Sequence, residues 1–140
     1  MIGIILGSES DWETMLNCSE KLEEPNIHHD MVVASAHRAP EKVTEHIKEW
    51  EKLGYKVIIA AAGMSAALPG VVASQTKLPV IGVPMKSDLM GIDSLLSIVQ
   101  MPKGVPVACM SVGKHGAINA ALYAKRILDI QDIKTRKAEW

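Results

Sequence analysis

Short apolar runs punctuate the chain: IGIIL at 2–6, MVVA at 31–34, VIIAAA at 57–62, VIGV at 80–83 and VACMSV at 107–112. They are rich in β-branched side chains and lack strict alternation, which predicts strands covered on both faces, as in a parallel sheet. The intervals carry helical spacing instead. Over 11–24, Trp12, Met15, Leu16 and Leu22 fall near that spacing, and Pro25 stops the run. Pro40 opens a second segment in which Val43, Ile47 and Trp50 share a face until Gly54. Three more helices are expected, one after Pro69 and Gly70, one over 91–100 and one over 116–129. Strand and helix therefore alternate five times with short links. The predicted fold class is α/β, a three-layer doubly wound sandwich with a central parallel sheet, flavodoxin-like or Rossmann-like.

In such folds ligands bind outside the carboxyl ends of the strands, at a topological switch point. The loops after the strands are therefore where chemistry is sought. The first run leads into GSESDW, where Ser8, Ser10 and Asp11 stand at the start of a helix. They can simply cap it. Two hydroxyls and free amides at a helix N-terminus also make an anion site suited to a phosphate monoester, while Asp11 suits a sugar diol. The second run leads into SAHRAP. Ser35 as a cap and Pro40 as a first-turn proline have structural explanations, but His37 and Arg38 do not. An arginine offers a fixed fork of donors to phosphate, and an imidazole can both give and take a proton near neutral pH.

The third run leads into AAGMSAALPG, whose small residues let backbone approach a flat ligand, or let a helix pack closely on the sheet. The later segment SDLMGIDSLLSIVQMPKGVP has the makings of a lid or a subunit contact, with core packing the default for Leu95, Leu96, Ile98 and Val99. His28, His29 and His46 read as surface residues, and His115 stands beside Gly113 and Lys114 in a loop after a strand.

Composition narrows the field. One domain over residues 1–140 is expected, since 48% hydrophobic content supplies one well-buried core. Fifteen basic against sixteen acidic residues leave a net charge of −1, which argues against nucleic acid and against a polybasic membrane anchor. The first apolar run is too short for a signal or membrane span, so a soluble cytoplasmic protein is expected. Cys18 and Cys109 lack metal-ligand or disulfide-framework spacing and read as buried thiols. No histidine–carboxylate grouping has metal-ligand spacing, so no metal is expected.

GSESDWETM, SAHRAP, AAGMSAALPG, PVIGVP, DSLLSIVQMPKGVPVA and GAINAAL, in this order, resemble the PurE family, the N5-carboxyaminoimidazole ribonucleotide mutases of purine biosynthesis. The resemblance runs from Ile2 to about Asp129. It implies a phosphoribosyl aminoimidazole substrate whose carboxylate moves from the exocyclic nitrogen to ring carbon four, with CO2 as a trapped intermediate and no metal, ATP or biotin. It also implies a homo-octamer, and the Ala-rich helix at 117–124, which permits close helix approach, is the expected subunit contact. By the same resemblance Ser8, Ser10, Ser35 and Arg38 fall where the family holds phosphate, Asp11 where it holds the ribose, and His37 on the catalytic histidine. Ala36, Ala62, Gly63, Met64, Ser65 and Leu68 complete the expected binding set.

The third loop departs from the pattern. Ala67 stands where the mutases usually carry a second histidine, and Met64 and Ser65 replace glycine-rich sequence. Ser65, Ala66, Ala67 and Leu68 lean instead toward the aminoimidazole ribonucleotide carboxylases, which use CO2 directly. His37-Arg38 and Pro69 lean back toward the mutases. The mutase is the leading expectation, the direct carboxylase the second, and a non-catalytic or altered-substrate nucleotide-binding paralogue the third. Flavodoxin-like and response-regulator functions fit the fold but not the loops, for no flavin phosphate run and no acidic cluster follow the first strand.

Overall fold

A computed structural model describes the backbone over residues 1–138 and the side chains over residues 1–130. Five strands, β1 (Ile2–Leu6), β2 (His29–Val33), β3 (Val57–Ala62), β4 (Val80–Pro84) and β5 (Ala108–Cys109), form one parallel sheet in the order β2-β1-β3-β4-β5. Between and after them lie α1 (Trp12–Glu23), α2 (Pro40–Lys52), α3 (Leu68–Gln75), α4 (Ile92–Val99) and α5 (Lys114–Ala138). The chain winds outward from β1 to β2, then returns to place β3 on the other side of β1. That reversal puts the switch point between β1 and β3. This is the doubly wound α/β sandwich the apolar runs predict.

Strand pleating divides the core into two layers. Ile2, Ile4 and Leu6 of β1 face Met15, Cys18 and Leu22 of α1 together with Ala117, Ala120, Ala121 and Ala124 of α5. Ile5 belongs to the opposite layer, with Val43, Ile47 and Trp50 of α2, Leu68 and Val72 of α3, and Ile98 of α4. On that second face Gly3 is required: a Cβ there would stand 2.4 Å from the Trp50 ring. The Trp50 indole donates to Asp30 at 3.3 Å, and the Tyr55 hydroxyl donates to the same carboxylate. Burial and this acidic neighbour push the Tyr55 hydroxyl up to about 12.

Several boundaries and burials differ from the sequence reading. β2 starts at His29 rather than 31, because polar His29 and Asp30 find partners there: His29 bonds Ser19 and the Ile27 carbonyl, and Asp30 takes the two donors just named. His29 and His46 are thus half-buried and not simply surface residues, His46 being stacked on Trp50 at 5.8 Å between centroids. β5 keeps only two residues of the run at 107–112. Past it the chain must pass Gly116, where a Cβ would fall 1.7 Å from the Ser111 carbonyl oxygen. α3 already starts at Leu68, since a proline in the first turn loses no helical hydrogen bond, and α5 runs on to Ala138.

Trp12 and Leu16 are exposed, whereas Met15, Cys18 and Leu22 carry the buried face of α1. In α4 only Ile98 of the four expected core residues is buried; Leu95 is half-buried, and Leu96 and Val99 are exposed. Cys18 is buried and its thiol is pushed up to about 12, but Cys109 is half-buried. No described helix is long and apolar enough to cross a membrane.

Candidate active site

Four strand ends open onto one cavity of about 550 Å³, a volume suited to a small organic ligand. After β1, the Gly7 amide still donates to the Ala61 carbonyl at 2.9 Å, holding the loop against the neighbouring strand. Ser8 then caps a single 3-10 turn over Glu9–Asp11: its Oγ accepts from the Ser10 amide at 3.3 Å and from the Ser10 hydroxyl at 2.9 Å. Both hydroxyls line the cavity. Asp11 precedes α1 but makes no side-chain capping bond to it. Its carboxyl is buried, which pushes its pKa up, and a backbone hydrogen bond at Ser8 partly offsets the shift. A carboxylate that lines a cavity at such a cost, without capping its helix, is available to a ligand hydroxyl.

After β2, the Ala34 amide donates to the Leu6 carbonyl at 2.9 Å, tying this loop to β1. Ser35 does not cap α2, whose N-cap is Ala39 without a side-chain bond. It closes the preceding turn instead, its Oγ accepting from the Arg38 amide at 3.2 Å and its carbonyl from the Ala39 amide at 2.9 Å. That turn carries Ala36, His37 and Arg38 into the cavity wall, with His37 and Arg38 exposed.

After β3, Ala62 and Gly63 bring bare backbone to the cavity floor, and Met64 takes a left-handed conformation with φ 55. Such a conformation costs a non-glycine residue roughly 1 kcal/mol, and it leaves the Met64 side chain 68% exposed beside the cavity. Ser65, Ala66, Ala67 and Leu68 continue the wall into α3. Ala67 is the N-cap of that helix and offers no side-chain hydrogen bond.

The loop after the fourth strand has no motif that stands out in the sequence, yet Met85, Lys86 and Ser87 also line the cavity. The signal that could have found them is positional, because β4 is followed by the same kind of loop as β1 to β3. Every residue proposed from the sequence as part of the site lines this one cavity. His115 does not; it is exposed at the start of α5. Asp11 is the one carboxylate among the described lining residues, against the cations Arg38 and Lys86. Among the described residues, neither cation has a carboxylate within ion-pair distance. The lining thus combines hydroxyls, an unpaired guanidinium and ammonium, an imidazole and a floor without side-chain bulk, a set suited to an anionic planar ligand. A second cavity of about 540 Å³, lined by Glu51, Thr76, Lys77 and Pro106 among others, has no comparable set.

Residues 1–138 match the family described as AIR carboxylase. The chain belongs to the AIR carboxylase family. Its relatives include proteins named N5-carboxyaminoimidazole ribonucleotide mutase. One, from Bacillus subtilis, is 54% identical over 94% of this chain and 82% of that protein. Another, from Saccharolobus solfataricus, is 56% identical over 93% and 82%. A third, from Escherichia coli, is 48% identical over 99% and 84%. The crystal structure of Treponema denticola PurE superposes with a TM-score of 0.77 at 32% identity, covering 99% of this chain and 91% of that one. The resemblance read from the loop motifs is therefore AIR carboxylase family membership, and the sheet that carries those loops is the family's sheet.

Proposed function

We propose that this chain is an N5-carboxyaminoimidazole ribonucleotide mutase of purine biosynthesis, one catalytic unit over residues 1–140. The observation that carries the proposal is the set of relatives of that name, about half identical over most of the chain. The cavity supplies the parts such a reaction needs. Arg38 with the hydroxyls of Ser8, Ser10 and Ser35 takes the phosphate, and Asp11 takes the ribose hydroxyls. Ala36, Ala62, Gly63 and Leu68 leave room for a flat ring, with Met64 and Ser65 at its edge.

His37 is the proton carrier. As the bond from the exocyclic nitrogen to the carboxylate breaks, the imidazolium gives that nitrogen a proton and CO2 is released. Ring carbon four then attacks CO2, and the neutral imidazole removes the proton from that carbon. One histidine ends the cycle as it began, and no external base is consumed. Holding CO2 beside a weak carbon nucleophile replaces a rare bimolecular encounter with a local one.

The same proposal includes a homo-octamer in the cytoplasm. Leu89, Met90, Ile92, Leu96 and Val99 form an exposed apolar series on α4 and the loop before it, a surface suited to subunit contact. The alanines at 117–124 do not supply that support, since Ala117, Ala120, Ala121 and Ala124 are buried within the chain's own core. Light scattering at micromolar concentration tests the assembly, and a monomeric mass overturns it. For the activity, purified protein is given either the N-carboxylated nucleotide or the uncarboxylated nucleotide with bicarbonate, and the C4-carboxylated product is followed. Rapid product from the first alone supports the mutase. Product from the second at equal or greater rate means a direct carboxylase, and none from either means a non-catalytic paralogue.

A further inference from the structure

We propose that Lys86 is the second anion-binding group of the site and holds the carboxylate being transferred, while Arg38 holds the phosphate. This rests on the mutase reading, under which the ligand is anionic at both ends.

The cavity is charged to match. Arg38 follows β2 and Lys86 follows β4, strands three positions apart in the sheet. At ~4.8 Å per strand the two loops start about 14 Å apart, room enough for a nucleotide between the two side chains. Between them, the third loop presents one neutral hydroxyl, Ser65, beside Ala62, Gly63, Ala66 and Ala67, so it offers a carboxylate no side-chain charge. Asp11 on the first loop repels one. The far wall, at Lys86, is where a second anion meets a cation. Asp88 is exposed two residues on, but it is not within ion-pair distance of the ammonium.

The backbone on either side of Lys86 is held in place. The Met85 amide donates to the Ala62 carbonyl at 2.9 Å, and the Met85 carbonyl accepts from the fully buried Ser94 hydroxyl at 2.7 Å. On the other side the Ser87 hydroxyl donates to the Asp93 carboxylate at 3.2 Å, and the Ser87 carbonyl accepts from the Met90 amide at 2.8 Å. Lys86 thus carries a flexible side chain on a fixed base. The carboxylate changes its atom of attachment during the reaction, and three donors on a flexible stem can follow it. A planar guanidinium fork suits the phosphate, which stays where it is.

The test is calorimetric binding of two nucleotides, uncarboxylated and C4-carboxylated, to wild type, Lys86→Met and Lys86→Arg at one ionic strength. Lys86→Met should weaken the carboxylated nucleotide on the order of tenfold, the value of one hydrogen bond to a charged group, and leave the uncarboxylated nucleotide unchanged. Lys86→Arg should restore most of the loss. Equal weakening of both nucleotides by Lys86→Met, or no weakening of the carboxylated one, overturns the assignment. Wild-type protein that binds neither nucleotide overturns the mutase reading, and the proposal with it.

Discussion

Gly3→Ala adds one methyl group where the structure has no room for it. The new Cβ would lie 2.4 Å from Cε3 of Trp50 and 2.6 Å from two further ring atoms, Cδ2 and Cζ3. The ring cannot step aside freely. It is 1% exposed, its indole N–H is spent on Asp30, and it stacks between Tyr55 at 5.7 Å and His46 at 5.8 Å. Overpacking of this kind costs about 1–3 kcal/mol. Displacing the indole from Asp30 adds about 1 kcal/mol for the lost hydrogen bond. Together these come to about 2–4 kcal/mol, which for a chain of this size lowers Tm by roughly 6–16 °C. Differential scanning calorimetry measures it. Trp50→Leu makes room, so adding Gly3→Ala in that background should cost less than about 1 kcal/mol, a coupling that identifies the contact responsible. Turnover well below Tm should stay near that of wild type, because the cavity lies at the other end of β1. A Tm within a degree of wild type, or the same loss in both backgrounds, would refute the packing described.

The remaining predictions concern the cavity. His37→Asn should reduce turnover by ~10²–10⁴-fold while nucleotide affinity is kept, as measured by steady-state kinetics beside calorimetry. Arg38→Ala should weaken the nucleotide by roughly 10–150-fold but leave the dephosphorylated nucleoside unaffected; equal affinity of wild type for both would remove the phosphate role. Asp11→Asn should raise Tm at neutral pH and weaken ribonucleotide binding. The sign follows from burial, which raises the Asp11 pKa in the fold above its unfolded value. The protonated form is favoured on folding, so that contribution to stability is present at acid pH and lost as pH rises through the raised pKa. The Tm advantage of the variant should therefore shrink on acidification, and a neutral-pH Tm below that of wild type would contradict it.

The strands β1, β3 and β4 were legible because each is a short apolar run covered on both faces, and three of the four cavity loops were legible because their polar residues follow such runs directly. What was not legible depends on partners far along the chain. His29 and Asp30 look like loop residues until Ser19, Trp50 and Tyr55 are brought beside them. The alanines at 117–124 look like a subunit contact until α1 is seen packed on them. Lys86 reads as an ordinary surface charge, since nothing local separates it from Lys77 or Lys103. Only the strand order, which places β4 beside β3 at the switch point, brings it into the cavity with Arg38.

The most direct test of the proposed chemistry follows one carbon atom. The N-carboxylated nucleotide is prepared with ¹³C in its carboxylate and turned over by the protein in unlabelled bicarbonate buffer, and the C4-carboxylated product is analysed by mass spectrometry. Transfer of CO2 within the cavity, faster than its escape to solvent, predicts product that keeps the label. Product carrying the unlabelled carboxylate of the buffer would contradict it.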